Sequence, residues 1–254
     1  TVARLHTEDP KEGQRFFQAI RDCLFLRRLK TTVIDGEIIG GKLPKLTVYD
    51  VNIKPLPGNE EWKSYLQFKK RETADELAKA KAAAENRRTD TNAVVTAADL
   101  MTKSSKMNFF MDRLRQRIDH PEAVGDFGTI TVAQVKANPD MMKLSLKLGV
   151  FFHLLLNRPK GVKSVVFCNF RLPRFIIQAH CEKLGIGWAH LGGEKSAKAD
   201  KAAAISKFKE DPNTTLLIAS VKMGNKGYNW QEACEVYMFE PSWDYTVEQQ
   251  CHAR

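Results

Sequence analysis

Apolar positions change rhythm several times along the chain. In "RFFQAIRDCLFLRRLK" (15–30) they recur at helical spacing with basic residues between them. "KLTVYDVNIKPL" (45–56) alternates instead. Leu46, Val48, Val51 and Ile53 stand against Thr47, Asp50 and Asn52, which predicts a strand. Residues 69–107 are rich in Ala, Lys, Glu and Thr with almost no aromatic side chains. That composition predicts a solvated helix and a mobile, partly disordered connector, with no role beyond spacing or charge. "NFFMDRLRQRIDHPE" (108–122) resumes an amphipathic helix and stops at Pro121. "DMMKLSLKLGVFFHLLLN" (140–157) predicts a further helix with a broad apolar face.

From Lys163 onward short apolar runs alternate with longer amphipathic ones. "KSVVFCNF" reads as a buried strand, "LPRFIIQAHCEKLG" as a helix closed by Gly185, "IGWAHLGG" as a strand with a glycine turn. "KSAKADKAAAISKFKED" is a helix, "TTLLIAS" and "EVYMFEP" are strands, and "TVEQQCHAR" opens a helix. Strands alternating with helices predict an α/β fold: a parallel sheet covered on both faces. Ligands on such sheets bind at the carboxyl ends of the strands. Those ends are Asn169–Arg171, Leu191–Glu194, Ser220–Asn229 and Glu240–Trp243. Leu26, Leu29, Val166, Phe167, Leu217, Ile218 and Met238 are core candidates.

Composition narrows the partner. The chain has 254 residues, enough for one large domain or two modest ones, and 43% hydrophobic residues, enough for a core. A net charge of +10 favours an acidic partner, most often nucleic acid. The cysteines are Cys23, Cys168, Cys181, Cys234 and Cys251, an odd set with no C-x-x-C spacing. A disulfide framework or zinc site is not expected; reduced intracellular thiols fit, with Cys168 and Cys251 as small core residues. No metal ligands are expected. The longest apolar run, about Leu148 to Leu156, falls short of the ~20 residues of a spanning helix. No membrane partner is expected, and the N-terminal residues show no apolar signal segment.

"GEIIGGKL" (Gly36 to Leu43) nearly spells a phosphate-binding loop. Leu43 stands where a hydroxyl would hold magnesium, and Pro44 prevents a helix from opening with free N–H groups. A glycine-rich hairpin turn is the better reading. No apolar strand ends in a paired Asp-Glu either, so no complete ATP site is expected in this chain.

The strand ends in order, "VVFCNF", "HLGG" and "LLIASVKMGNKGYNWQEACEVYMFEPSWDYTVEQQCHAR", resemble the C-terminal motor lobe of Swi/Snf-type chromatin-remodelling ATPases. "LRRLK…LPKLT" (26–47), "LRQRIDHP" (114–121) and "SLK" (145–147) fall upstream in the order that family shows. The resemblance covers most of the chain except 69–107. It implies a RecA-like (P-loop NTPase-type) lobe at 126–254, preceded by a linker and helical protrusion at 1–125. The family's closing motif is a glutamine, an arginine four residues on, a second arginine three further, then Gly-Gln. Gln250 and Arg254 match its start, which implies that the chain stops inside its last motif. Both would lie on one helix face. Arg254 would stabilise charge on the transferring phosphoryl group, an effect worth roughly 10³–10⁵ in rate in well-studied cases.

By the same resemblance, Gly224, Gly227 and Asn229 would approach the nucleotide. Asn169, Arg171, Gly192, Gly193, Ser220, Lys222 and Trp243 would meet DNA. ATP and Mg²⁺ would be bound mainly by a first RecA-like lobe outside this chain. The partners implied are that first lobe, duplex DNA and nucleosomes; the location implied is nuclear. The isolated chain is expected not to hydrolyse ATP. There are departures from the family pattern. Asn225 and Lys226 replace glycine and valine, Tyr228 and Trp230 replace leucine, Gly192 replaces aspartate, and Lys201 replaces arginine. They motivate an alternative, a degenerate non-catalytic DNA-binding or scaffolding module. A third reading, an RNA helicase, is disfavoured by the Leu-Arg-Arg-x-Lys and Leu-Arg-Gln…His-Pro stretches.

Overall fold

A computed structural model describes residues 33–34, 37–38, 46–88, 97–123, 130–192, 197–224, 228 and 230–252. The chain forms two compact units, Thr1–Asn52 and Ile53–Arg254. In the first, β1 (Val33–Ile34) pairs antiparallel with β2 (Glu37–Ile38), Val33 opposite Ile38 and Ile34 opposite Glu37. Two residues of the glycine-rich stretch expected to turn, Glu37 and Ile38, are thus strand β2, while Gly36, Gly40 and Gly41 lie outside the described residues. The helix expected at 15–30, with Leu26, Leu29 and Cys23, also lies outside them.

The strand expected at 45–56 does not form over its described residues, 46–56. Leu46, Val48 and Val51 remain 60%, 60% and 54% exposed, and no described strand pairs with them. Alternation makes a strand only where a neighbour takes up the backbone hydrogen bonds and a second layer covers the apolar face.

In the second unit, Asn59 caps α1 (Glu60–Arg88) by accepting from the Trp62 backbone N–H at 2.7 Å. After residues 89–96, which are outside the described set, α2 runs from Ala97 to Asp119. Helix therefore occupies all of the described part of the polar stretch, 69–88 and 97–107, which was expected to hold a helix and a connector. Ala, Glu and Lys are strong helix formers whatever their polarity. α2 ends as expected just before His120–Pro121, because proline disfavours helical geometry in the residue preceding it.

Thr131 and Gln134 form a reciprocal capping box on the short α3 (Val132–Ala137). α4 spans Leu146–Asn157, starting later than the expected 140. Ser145 fixes that start: its hydroxyl accepts from Leu148 N–H at 3.2 Å and donates to the Asp119 carbonyl at 2.6 Å.

The expected α/β core follows. β3 (Lys163–Cys168), α5 (Arg171–Leu184), β4 (Gly187–Leu191), α6 (Lys198–Glu210), β5 (Thr214–Ser220), α7 (Val221–Gly224), β6 (Ala233–Met238) and α8 (Tyr245–His252) succeed one another. The strands form a parallel sheet in the order β4-β5-β3-β6. Gly185 closes α5 at φ 67°, a left-handed conformation that glycine adopts without strain. Pleating splits each central strand between two cores. Val166, Cys168, Leu216 and Ile218 pack with Leu148, Phe151, Ile176 and Ile177. Val165, Phe167, Leu217 and Ala219 pack with Phe208, Met223, Trp230 and Cys251. Burial on both faces is why these strands read as continuous apolar runs. Met238, at the sheet edge, is only half-buried.

Candidate nucleic-acid and nucleotide interface

The parallel register brings the strand ends to one rim. Cys168 pairs with Ser220, Leu191 with Ala219, and Phe167 with Met238. Asn169, Gly192, Ser220 and Lys222 therefore gather along that edge, with Arg171 opening α5. Lys222 and Arg171 are exposed, Gly192 is half-buried, and Ser220 is buried beside its strand partner. The Arg171 guanidinium lies 5.2 Å from the Phe175 ring centroid. Asn169 is engaged with the neighbouring loop. Its backbone N–H donates to Glu240 Oε2 at 2.6 Å, and its side-chain amide donates to the Glu240 and Pro241 carbonyls at 3.4 and 3.3 Å. Gly193, Gly227, Asn229 and Arg254 lie outside the described residues, as do Asn225 and Lys226.

Gly224 is buried and faces α8. A β-carbon there would lie 2.2 Å from Cys251 Sγ and 3.1 Å from Phe167 Cε1. The glycine lets α8 seat directly on α7, with Cys251 fully buried between them. Gln250, one residue before that contact, is exposed. The structure thus gives Gly224 a packing partner, and through it holds the helix that carries Gln250.

Trp243 is 65% exposed. The Arg115 guanidinium of α2 lies 4.8 Å from the Trp243 ring centroid and 5.4 Å from that of Phe170, and donates to the Pro241 carbonyl. Trp243 Nε1–H makes a long 3.5 Å contact to Asp112 Oδ1, which Arg115 Nη1 also meets at 3.5 Å. An upstream helix therefore grips the loop after β6.

Beneath this grip lies a buried charged cluster. Lys147 Nζ donates to Asp119 Oδ1 at 2.5 Å and sits 4.5 Å from the Phe239 ring centroid. Glu240 and Asp119 are each only 1% exposed. Burial first, and then the Asp119 charge, push the Glu240 carboxyl well above its usual range. Burial also raises Asp119, against the lowering effect of Lys147. As two carboxylates, Asp119 Oδ2 and Glu240 Oε1 would face each other without donors. A proton held on Glu240 turns that clash into a hydrogen bond. Nearby, His190 is pushed down to about 4 by burial and by Arg174 and Arg171, so it stays neutral. Burial raises Cys168 well above the usual thiol range and Cys181 to about 12, which leaves both inert.

Arg115, Asp119 and Lys147 lie in the "LRQRIDHP" and "SLK" stretches but were given no role there, and Glu240 was named only as a strand end. The available signal was misplaced charge: Lys147 interrupts the apolar helix "LKLGVFFHLLLN", and Asp119 sits two residues before Pro121.

No family model matches the chain. It is 33% identical over 102 residues to the ATP-dependent helicase rhp16 of Schizosaccharomyces pombe, a match covering 40% of this chain and 12% of that protein. It is 31% identical over 121 residues to the DNA repair protein RAD5 of Gibberella zeae, covering 48% of this chain and 10% of that one. The chain thus spans about a tenth of the length of these curated relatives. The Sulfolobus solfataricus SWI2/SNF2 ATPase core domain superposes on it with a TM-score of 0.52 at 22% identity, over 98% of this chain and 45% of that one. These likenesses are to a helicase and a DNA repair protein in sequence and to a SWI2/SNF2 ATPase core domain in fold. Within the shared fold, the sheet is the parallel four-stranded one, and α8 is the last described element. Among the described residues no group of three or more His, Cys, Asp or Glu is placed to hold a metal ion.

Proposed function

We propose that this chain is the second motor lobe of a Swi/Snf-type, ATP-dependent DNA translocase that remodels chromatin in the nucleus, in a larger parent. Its similarity to helicases and DNA repair proteins supports the class. The observation that carries the reading is the seating of α8. The bare α-carbon of Gly224 admits Cys251, and this turns Gln250 outward beside the carboxyl edge of a parallel sheet.

In this reading Arg171, Ser220, Lys222 and Asn169 hold one strand of duplex DNA, free or nucleosomal, through its phosphates, without reading sequence. Gln250 and Arg254 face ATP bound mainly by the first lobe, which also holds Mg²⁺. ATP supplies a phosphoryl group, and a guanidinium placed against it stabilises the charge that spreads over its oxygens. Closure of the two lobes would bring these groups together, so the isolated chain would bind duplex without turnover.

The test is ATPase activity with and without duplex DNA in the two-lobe parent. DNA-stimulated turnover that falls roughly 10³-fold or more on Arg254→Ala is expected. Turnover indifferent to Arg254 would overturn the motor assignment. Duplex binding with no turnover would favour a degenerate scaffolding module and point to Asn225 and Lys226.

A further inference from the structure

Away from the strand ends, α1 and α2 enclose a cleft of about 600 Å³ lined by Ser64, Gln67, Phe68, Arg71, Arg113 and Arg117. Three guanidinium groups converge on one ring: Arg117, Arg71 and Arg113 lie 5.5, 5.6 and 5.7 Å from the Phe68 centroid. Phe68 is buried and forms a fixed floor.

The anionic side of the balance is smaller. Glu72 meets Arg113 at 3.0 Å and Arg71 only at 3.8 Å. Arg117 donates to the neutral Ser64 hydroxyl at 2.7 Å. The next carboxylate, Glu61, faces Arg117, but its Oε2 is bonded to Leu146 N–H at 2.8 Å and burial raises its pKa. Among the described residues, one fully engaged carboxylate and one turned elsewhere leave the cleft with excess positive charge.

We infer that this cleft binds phosphate groups of the DNA backbone, as a contact separate from the strand-end rim. Guanidinium forks match phosphate geometry bidentately, and an aromatic face holds them in place with little hydration to lose. Ser64 and Gln67 add neutral donors at the same opening. The +10 net charge draws a polyanion to any such fixed cluster. The identity of the ligand rests on the DNA-binding reading above; the charge geometry does not.

The test measures binding of a short duplex by the 254-residue chain across a salt series. The comparison set is Arg71→Gln, Arg117→Gln, Gln67→Glu at the exposed lip, and Lys222→Ala at the rim. Each arginine substitution is expected to weaken binding and to reduce the slope of log K against log salt by about 1. Gln67→Glu is expected to weaken binding without disturbing packing, and it decides the matter if an arginine variant fails to fold. Unchanged affinity and slope in folded cleft variants overturn the inference, whatever Lys222→Ala does. Sensitivity of the cleft variants with an indifferent Lys222→Ala sustains the cleft and removes the rim from the proposed function. No duplex binding by the unsubstituted chain overturns both.

Discussion

Gly224→Ala is expected to destabilise the lobe by an amount set by one atom. The backbone there is not left-handed, so alanine suits it, and by itself the change would stabilise by about 0.4–1 kcal/mol. Against that, the new methyl would fall 2.2 Å from Cys251 Sγ. Overpacking of this kind costs about 1–3 kcal/mol, and α8 must move to relieve it. The net expectation is a loss of about 1–2 kcal/mol.

Cys251→Ala removes the offending sulfur. Alone it should cost about 1 kcal/mol of lost buried contact. In that background the nearest atoms to the new methyl are Phe167 Cε1 at 3.1 Å, a tight contact that the ring must relieve by a few tenths of an ångström, and the residue 251 β-carbon at 3.4 Å. Gly224→Ala should then cost much less than it does beside Cys251. Urea denaturation followed by tryptophan fluorescence reads this directly, since Trp230 is buried in the same core. The coupling should exceed 1 kcal/mol, well above the ~0.5 kcal/mol scatter of independent sites. Equal cost for Gly224→Ala in both backgrounds would refute the seating of α8 on α7.

Two further expectations concern the cluster under Trp243. Glu240 is raised above its ordinary 4.5 in the folded protein, so its stabilising contribution is complete below that value and declines as pH rises toward the folded pKa. Glu240→Gln keeps a donor for Asp119 and an acceptor for Asn169 but does not titrate. The variant should gain on the unsubstituted protein between pH 5 and 8 in parallel urea titrations, and a pH-independent difference would contradict the protonated carboxyl. The lowered histidines, His120, His180 and His190, gain stability with rising pH in both proteins and cancel. Arg115→Ala should cost about 2 kcal/mol, from a charged hydrogen bond to Pro241 and two ring contacts. Arg115→Lys should recover only part of it, because the fork is lost; a loss under about 0.5 kcal/mol for Arg115→Ala would show the grip to be incidental.

Much of the α/β architecture was legible because its signals are local. Strands buried on both faces, such as Lys163–Cys168 and Thr214–Ser220, announce themselves as short apolar runs. Gly185 marked the end of α5 because the residue that closes that helix is left-handed. The stretch 46–56 misled because periodicity records a tendency but not the neighbour that would satisfy it. α4 began later than its apolar pattern suggested because a serine hydroxyl, not hydrophobicity, fixed its first turn. The rim residues could be named from the order of strand ends, since parallel topology dictates where those ends meet. The Asp119–Lys147–Glu240 cluster could not: its members are separated by 28 residues and more, and each alone resembles a surface charge.

That cluster bears on how the protein can be dissected. Ser145 and Lys147 both reach across to Asp119, and Arg115 reaches to Pro241, so the last turns of α2 complete the first turn of α4 and the exit of β6. A fragment cut at residue 126, where the resemblance places the start of the lobe, would keep Lys147 and Glu240 but discard the carboxylate between them. An ammonium in an apolar setting and a carboxyl with no acceptor would then drive local unfolding at the foot of the Trp243 loop. The smallest piece that keeps this loop in shape begins upstream of α2, and the helical arm is in that sense a cofolding partner of the lobe it precedes.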